Sequence, residues 1–171
     1  MWVGMNLRDF VLSPQPRLPW RRILLAALGA ALVLAVLGLV GTASGSMLLF
    51  VAFAPSCLLV CVLPEAPVSH PIAVVGGHGV SAAAGIVVGL LCPPEWWSFA
   101  LSVGVAIAAM AALRLIHPPA VGTTVIALST GAGWSFLLLP VLPAAFLIVV
   151  LGVIWLRFTG SRYPLPNPLR R

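Results

Sequence analysis

The sequence predicts an all-α polytopic membrane protein, and three observations carry that prediction. Hydrophobic residues make up 61% of the chain and charged residues 7%, against about a quarter charged in a soluble domain. Uncharged apolar runs recur, the first over residues 23–43, long enough to cross a hydrocarbon core of roughly 30 Å as one helix. All nine basic residues are arginines, and all but Arg114 lie near the two ends. Such tails lack a basic or aromatic surface for nucleic acid, and they read instead as positive-inside signals. The segmentation is therefore a tail over 1–22, a transmembrane domain over 23–156 and a second Arg/Pro-rich tail over 157–171.

The elements follow in order. Pro14, Pro16 and Pro19 keep the first tail extended, with Trp20 at the headgroup boundary. The run 23–43 is too long for the apolar part of a signal peptide and more runs follow it, so it reads as a membrane helix. A second run, 47–63, is interrupted by Pro55. The third, 72–92, carries Gly76-Gly77-His78, and then Ser81, Gly85 and Gly89 at the four-residue spacing that lets helices approach closely. Trp96 and Trp97 open the fourth as an aromatic belt, and it continues to Ile116 with Ala100, Gly104, Ala108 and Ala112 on one packing face. The fifth, 119–129, is too short to cross unaided. The last, 134–156, contains Pro140 and Pro143.

Six segments with the N-terminus inside place both tails and Arg114 on the cytoplasmic side, whereas five spans would export the tail from Arg157. Phe53-Ala54-Pro55-Ser56-Cys57 in the second segment and His117-Pro118-Pro119-Ala120 at the fifth stand about 64 residues apart. Three segments per unit is an odd number, so this weak repeat describes two inverted three-segment halves, with broken or half-length second and fifth segments. Cys57, Cys61 and Cys92 lie in or beside apolar runs without Cys-x-x-Cys spacing and read as small buried hydrophobes.

The stretch 116–124 is where chemistry is expected. Proline suits the first turn of a helix, so a new helix starts at Pro118 or Pro119, at membrane depth. Its first N–H groups, from Ala120 through Gly122 to Thr123, then point back toward Arg114 and His117. A positive helix end, a guanidinium and uncovered amides together suit an anion. Arg114 lies three residues before His117, which on a helix places them on one face. His117 either binds the anion when protonated, relays a proton, or caps the fourth helix. His78, with Gly77 beside it, either joins the site or is a neutral imidazole bonded to a neighbouring helix. Thr123 and Thr124 offer hydroxyls to an oxyanion, or bond back within their helix. Glu65 and Glu95 flank prolines in loops and read as solvated surface.

With these residues in view, the chain resembles the HPP family of integral membrane proteins, named for the tripeptide that stands here as His117-Pro118-Pro119. The resemblance extends to Phe53-Ala54-Pro55-Ser56, Pro67, Pro71 with Val75-Gly76-Gly77-His78, and Trp134-Ser135-Phe136-Leu137 with Pro140-Val141-Leu142. It covers roughly residues 20–160. Members in cyanobacteria and plastids are linked to nitrite transport, so the resemblance implies nitrite as the anion. Many members carry an Arg-Asn pair ahead of Gly-Gly-His, where this chain reads Ile72-Ala73-Val74. After His-Pro-Pro-Ala, Val121 stands before Gly122-Thr123.

The function expected is a transporter or channel for a small monovalent anion held by Arg114, His117, Pro118, Pro119, Ala120, Gly122, Thr123, His78 and Gly77. The alternative is a non-transporting structural or regulatory subunit. An enzyme or metal site from His70, His78 and His117 finds little support, because no span holds a carboxylate and no histidines stand at i,i+4. No cofactor, metal or nucleic acid is expected. The expected partners are the anion, the lipid bilayer and further copies in a homo-oligomer. The expected location is a bacterial inner (plasma) membrane with both termini cytoplasmic.

Overall fold

The prolines and glycines that punctuate the sequence also divide the structure. A computed structural model describes residues 15–44, 49–161 and 163. It holds six helices and, among the described residues, no strand. They are α1 (Trp20–Ser44), α2 (Leu49–Val62), α3 (Pro71–Leu91), α4 (Trp96–Ala112), α5 (Val121–Ser129) and α6 (Trp134–Phe158). Three of them, α1, α3 and α6, are long and apolar enough to cross a membrane, and α2, α4 and α5 are shorter apolar helices. This is an all-α membrane protein with half-length second and fifth segments.

Local chemistry explains where these helices begin, bend and stop. Trp20, Arg21 and Arg22 form the first turn of α1, and Arg157 lies in the last turn of α6, so these residues are helical instead of belonging to extended tails. Arg8, Arg162, Arg170 and Arg171, with most of both tails, lie outside the described residues. α2 runs through Pro55 without a break. A 3-10 turn, Pro67–Ser69, leads to His70, whose Nδ1 accepts the Ile72 N–H at 3.4 Å and caps α3. Pro140 and Pro143 remove N–H groups from α6, and over Leu137–Val141 it widens to a π-turn, with the Leu142 N–H donating to the Leu137 carbonyl.

The fourth segment ends earlier than its apolar run implies. α4 stops at Ala112, and the Leu115 N–H bonds the Met110 carbonyl (2.8 Å) while the Arg114 N–H bonds the Ala111 carbonyl (3.2 Å). That is a Schellman cap, with Arg114 at φ 58° in the left-handed position. Arg114 and His117 therefore do not share a helix face.

α3 is the centre of the bundle. It packs on α4, α5 and α6, while α1 pairs with α2 and both lean on α6. The small-residue stripe on α3 faces α5 as expected: a Cβ on Gly85 would stand 2.5 Å from the Thr124 carbonyl oxygen. The stripe on α4 does not pack within the chain. Ala100, Gly104, Ala108 and Ala112 are exposed, and Ser98, Ser102, Ala106 and Met110 form the buried face. Serine hydroxyls satisfied by backbone carbonyls let that second face be buried.

Exchanging the first three helices for the last three maps these principal pairings onto one another. The α1–α2 pair becomes α4–α5, α3–α5 becomes α6–α2, and α1–α6 becomes α4–α3, while α2–α5 and α3–α6 map onto themselves. The apolar core of Val33, Phe53, Val60, Val74, Val141 and Ile148 sits where α1, α2, α3 and α6 meet.

Candidate functional site

Where α2, α3 and α5 converge, the apolar interior contains polar side chains with no exposure at all, and four of them bond to one another: Ser56, His78, His117 and Thr123. Each comes from a different piece of chain. Ser56 follows Pro55 in the middle of α2. His78 lies two turns into α3. His117 precedes the 3-10 turn Pro118–Ala120, and Thr123 is in the first turn of α5. The two prolines fix this entry, because neither can donate and both favour the first turn of a helix.

The four side chains form one connected chain of hydrogen bonds. Ser56 Oγ lies 2.9 Å from His78 Nε2 and 2.9 Å from His117 Nε2. His78 Nδ1 meets Thr123 Oγ1 at 2.7 Å, and His117 Nδ1 donates to the Val68 carbonyl at 2.7 Å. The imidazole centroids stand 5.2 Å apart. Beside the chain, Thr124 Oγ1 donates to the Ser81 carbonyl at 2.9 Å, tying α5 to α3. Among the described residues no buried side-chain N or O atom lacks a partner. An unpaired buried donor or acceptor costs about 1–3 kcal/mol, so the arrangement is strongly specified.

Glycines allow this closeness. A Cβ on Gly77 would stand 2.8 Å from His117 Cβ and 3.0 Å from the Leu115 carbonyl oxygen. Gly77 thus lets α3 press against the backbone that carries His117. Gly122 lies against Ala52 of α2, where an added Cβ would meet the Ala52 Cβ at 3.4 Å.

The residues singled out from the sequence divide into two groups. His78, His117, Thr123 and Gly77 come together in the buried cluster, with Ala120 also buried beside it. Arg114 and Pro118 are exposed, and Pro119 is half-buried. The backbone amides differ from expectation. The Ala120 N–H bonds the His117 carbonyl at 2.9 Å, and the Val121 N–H bonds the Pro118 and Pro119 carbonyls. The 3-10 turn uses these donors itself, so they are not left free at the helix start. His70 caps α3 and stays apart from the other two histidines. Among the described residues no group of three or more His, Cys, Asp or Glu could hold a metal ion.

Ser56, the hub of the cluster, is not singled out by sequence reasoning: its one signal is a lone hydroxyl after a proline inside an apolar run. A second feature adjoins it: an apolar cavity of about 590 Å³ between α1, α2 and the π-turn of α6. Phe53 forms part of its wall and also meets the His78 ring, with centroids 4.5 Å apart.

No curated protein and no solved structure matches the chain. A family model described as "HPP, transmembrane region" matches residues 15–164, a span that holds all six helices and every residue of the buried cluster. The chain therefore belongs to the HPP family of transmembrane proteins.

Proposed function

We propose that the protein is a transporter or channel for a small monovalent anion, nitrite by family resemblance, which passes at the helix break of Pro118-Pro119. The observation that carries the reading is the fully buried chain of Ser56, His78, His117 and Thr123 at that break. Two hydroxyls and two imidazoles offer a small oxyanion the donors it needs, in an interior otherwise apolar. Polar groups at such depth are costly, which makes a role in passage the economical explanation. The cluster is closed on itself, so an anion enters only when α2 parts from α3 and α5 and the bonds to Ser56 Oγ open. Exposed Arg114, three residues from His117, adds positive charge at the mouth of the break. Self-association through the outward stripe of Ala100, Gly104, Ala108 and Ala112 belongs to the same proposal.

The test is nitrite uptake into proteoliposomes, with nitrate, formate and chloride as competitors, for the native chain and an Arg114→Ala, His117→Ala variant. Uptake above that of protein-free vesicles should be saturable, should rise as pH falls from about 8 toward 5, and should be lost in the variant. Folded protein with no uptake at any pH or potential would favour the alternative, a structural or regulatory subunit in which the cluster only joins helices.

A further inference from the structure

Both imidazoles reach the same hydroxyl, and this constrains where every proton lies. The Val68 carbonyl can only accept, so His117 Nδ1 carries a hydrogen. When that ring is neutral its Nε2 is bare and must accept, and Ser56 Oγ is its partner at 2.9 Å. Ser56 has one hydrogen, so its oxygen accepts from the other side, which requires His78 to carry its hydrogen on Nε2. His78 Nδ1 is then bare and accepts from the Thr123 hydroxyl. One fixed carbonyl thus sets both tautomers and both hydroxyl directions. The weaker alternative for Ser56, donation to the Ala52 carbonyl at 3.4 Å, would leave His117 Nε2 without a donor.

The same four groups accept one more proton without losing a bond. A proton on His78 Nδ1 turns the Thr123 hydroxyl from donor to acceptor and leaves the rest unchanged. From there the charge crosses to His117 in two hops: the His78 Nε2–H bond breaks as a new Ser56 O–H forms, and the old Ser56 O–H breaks as His117 Nε2–H forms. Afterwards His117 donates to Ser56, Ser56 to His78 Nε2, and His78 Nδ1 to Thr123. A second excess proton is opposed. Ser56 would have to accept from both rings and turn its hydrogen to the Ala52 carbonyl at the long 3.4 Å, with like charges on rings 5.2 Å apart.

No other charge offsets that repulsion. α2 brings Ser56, Phe53 and Cys57, α3 brings His78, and the turn and α5 bring His117 and Thr123. The loop before α3 brings the Val68 carbonyl. Among the described residues no carboxylate or guanidinium bonds to the cluster, and Glu65, Glu95 and Arg114 are exposed.

We infer that Ser56 joins His78 and His117 into a unit that takes one proton from water and no more, and that this proton travels with the anion. Transport is then an electroneutral, one-to-one symport of proton and monovalent anion. The stoichiometry rests on the anion-transport reading above, whereas the single-proton unit does not.

Two measurements separate these claims. The first is nitrogen NMR of histidine-labelled protein in nanodiscs between about pH 5 and 8.5, with His70 assigned by His70→Gln. At the alkaline end His117 should show the Nδ1–H tautomer and His78 the Nε2–H tautomer. On acidification the pair should gain one proton in total, with both rings sensing it, and Ser56→Ala should abolish that shared response. The opposite tautomers, or uptake of two protons over this range, would overturn the unit whatever the transport result. Native protein alone decides this arm, so poor folding of the variant does not matter.

The second is the initial rate of nitrite uptake, less that of protein-free vesicles, at clamped membrane potentials. A symport of one proton per anion should give the same rate at zero and at an inside-negative potential, and a matching alkalinisation outside. Ser56→Ala should flatten its pH dependence and Ser56→Thr should keep it. A rate that falls steeply with inside-negative potential marks an uncoupled anion path and overturns the stoichiometry. No uptake at all removes the transport reading and leaves the tautomer result standing by itself.

Discussion

Three helices of this protein end in the same cap, and one of them does so with an unexpected residue. After α5 the cap residue in the left-handed region is Gly131 (φ 59°), after α6 it is Gly160 (φ 80°), and after α4 it is Arg114 (φ 58°). In each, the following amide bonds back to close the turn: Ala132 to Ala127, Ser161 to Leu156, Leu115 to Met110. A side chain with a Cβ pays for that conformation, roughly 1–2 kcal/mol for a residue other than glycine. Arg114→Gly should therefore raise stability by up to about 1 kcal/mol, read as a higher thermal midpoint in detergent. If the guanidinium serves the anion path, the same variant should lose nitrite uptake while gaining stability. A variant both less stable and fully active would show that the arginine holds the cap and nothing else. The cap also explains what was legible here. Glycine in this position announces a helix end, and the arginine concealed it, so the apolar run read as helix through Ile116. His117, Thr123 and His78 could be singled out by type and by nearby proline or glycine. Ser56 could not, because it stands 22 and 61 residues from its two partners and no spacing rule links such positions.

Small residues recur every four positions on both α3 and α4, and from sequence the two stripes look alike. They differ in what lies opposite. Gly85 on α3 faces the backbone of α5, where a Cβ would meet the Thr124 carbonyl oxygen at 2.5 Å and Ala127 Cβ at 2.9 Å. Backbone cannot move aside as a flexible side chain can, so the helices must separate, and the Thr124–Ser81 and Thr123–His78 bonds between them would be strained together. Nothing lies within 4 Å of the corresponding position on Gly104 of α4. Gly85→Val should thus destabilise the folded chain by several kcal/mol, of the order seen when cores are overpacked or buried bonds broken. Gly104→Val should leave its midpoint nearly unchanged and act, if at all, on the oligomer measured by size and mass in detergent. Equal destabilisation by both would mean that α4 packs its stripe after all. Helix periodicity identifies a stripe but not its partner. The choice depends on the serines of α4, whose backbone bonds let the 98, 102, 106 and 110 face turn inward in its place.

Across the whole molecule, four long-range contacts gather one end of the bundle. Arg22 at the start of α1 stands 3.9 Å from Glu65 in the loop after α2, an exposed pair of little energetic weight that still locates both groups. Trp155 near the end of α6 donates to the Leu25 carbonyl (3.1 Å), Tyr163 donates to the Ser69 carbonyl (2.8 Å), and His117 donates to Val68 in the same loop. The start of α1, the α2–α3 loop, the α4–α5 connection and the end of α6 therefore share one end, and the loop from Leu91 to Trp96 belongs to the other. Arg21, Arg22, Arg114 and Arg157 thus fall at a single end of the bundle. Apolar runs make the six helices readable in the sequence, and the exchange of pairings between the two three-helix halves is seen only in their packing. What a run of apolar residues could not reveal is where short α5 starts and stops, which its turn at Pro118 and its cap at Gly131 set. The arrangement predicts the outcome of labelling with a membrane-impermeant maleimide in oriented vesicles. Cys57 and Cys61 are buried and should stay silent, leaving half-buried Cys92 as a native reporter of one end. Arg22→Cys and Arg157→Cys, each made with Cys92→Ser, should report the other. The two introduced thiols should react from the same side and Cys92 from the opposite side. Reaction of Arg157→Cys from the side that labels Cys92 would mean an odd number of crossings, and would make α5 a segment that enters and leaves by one face.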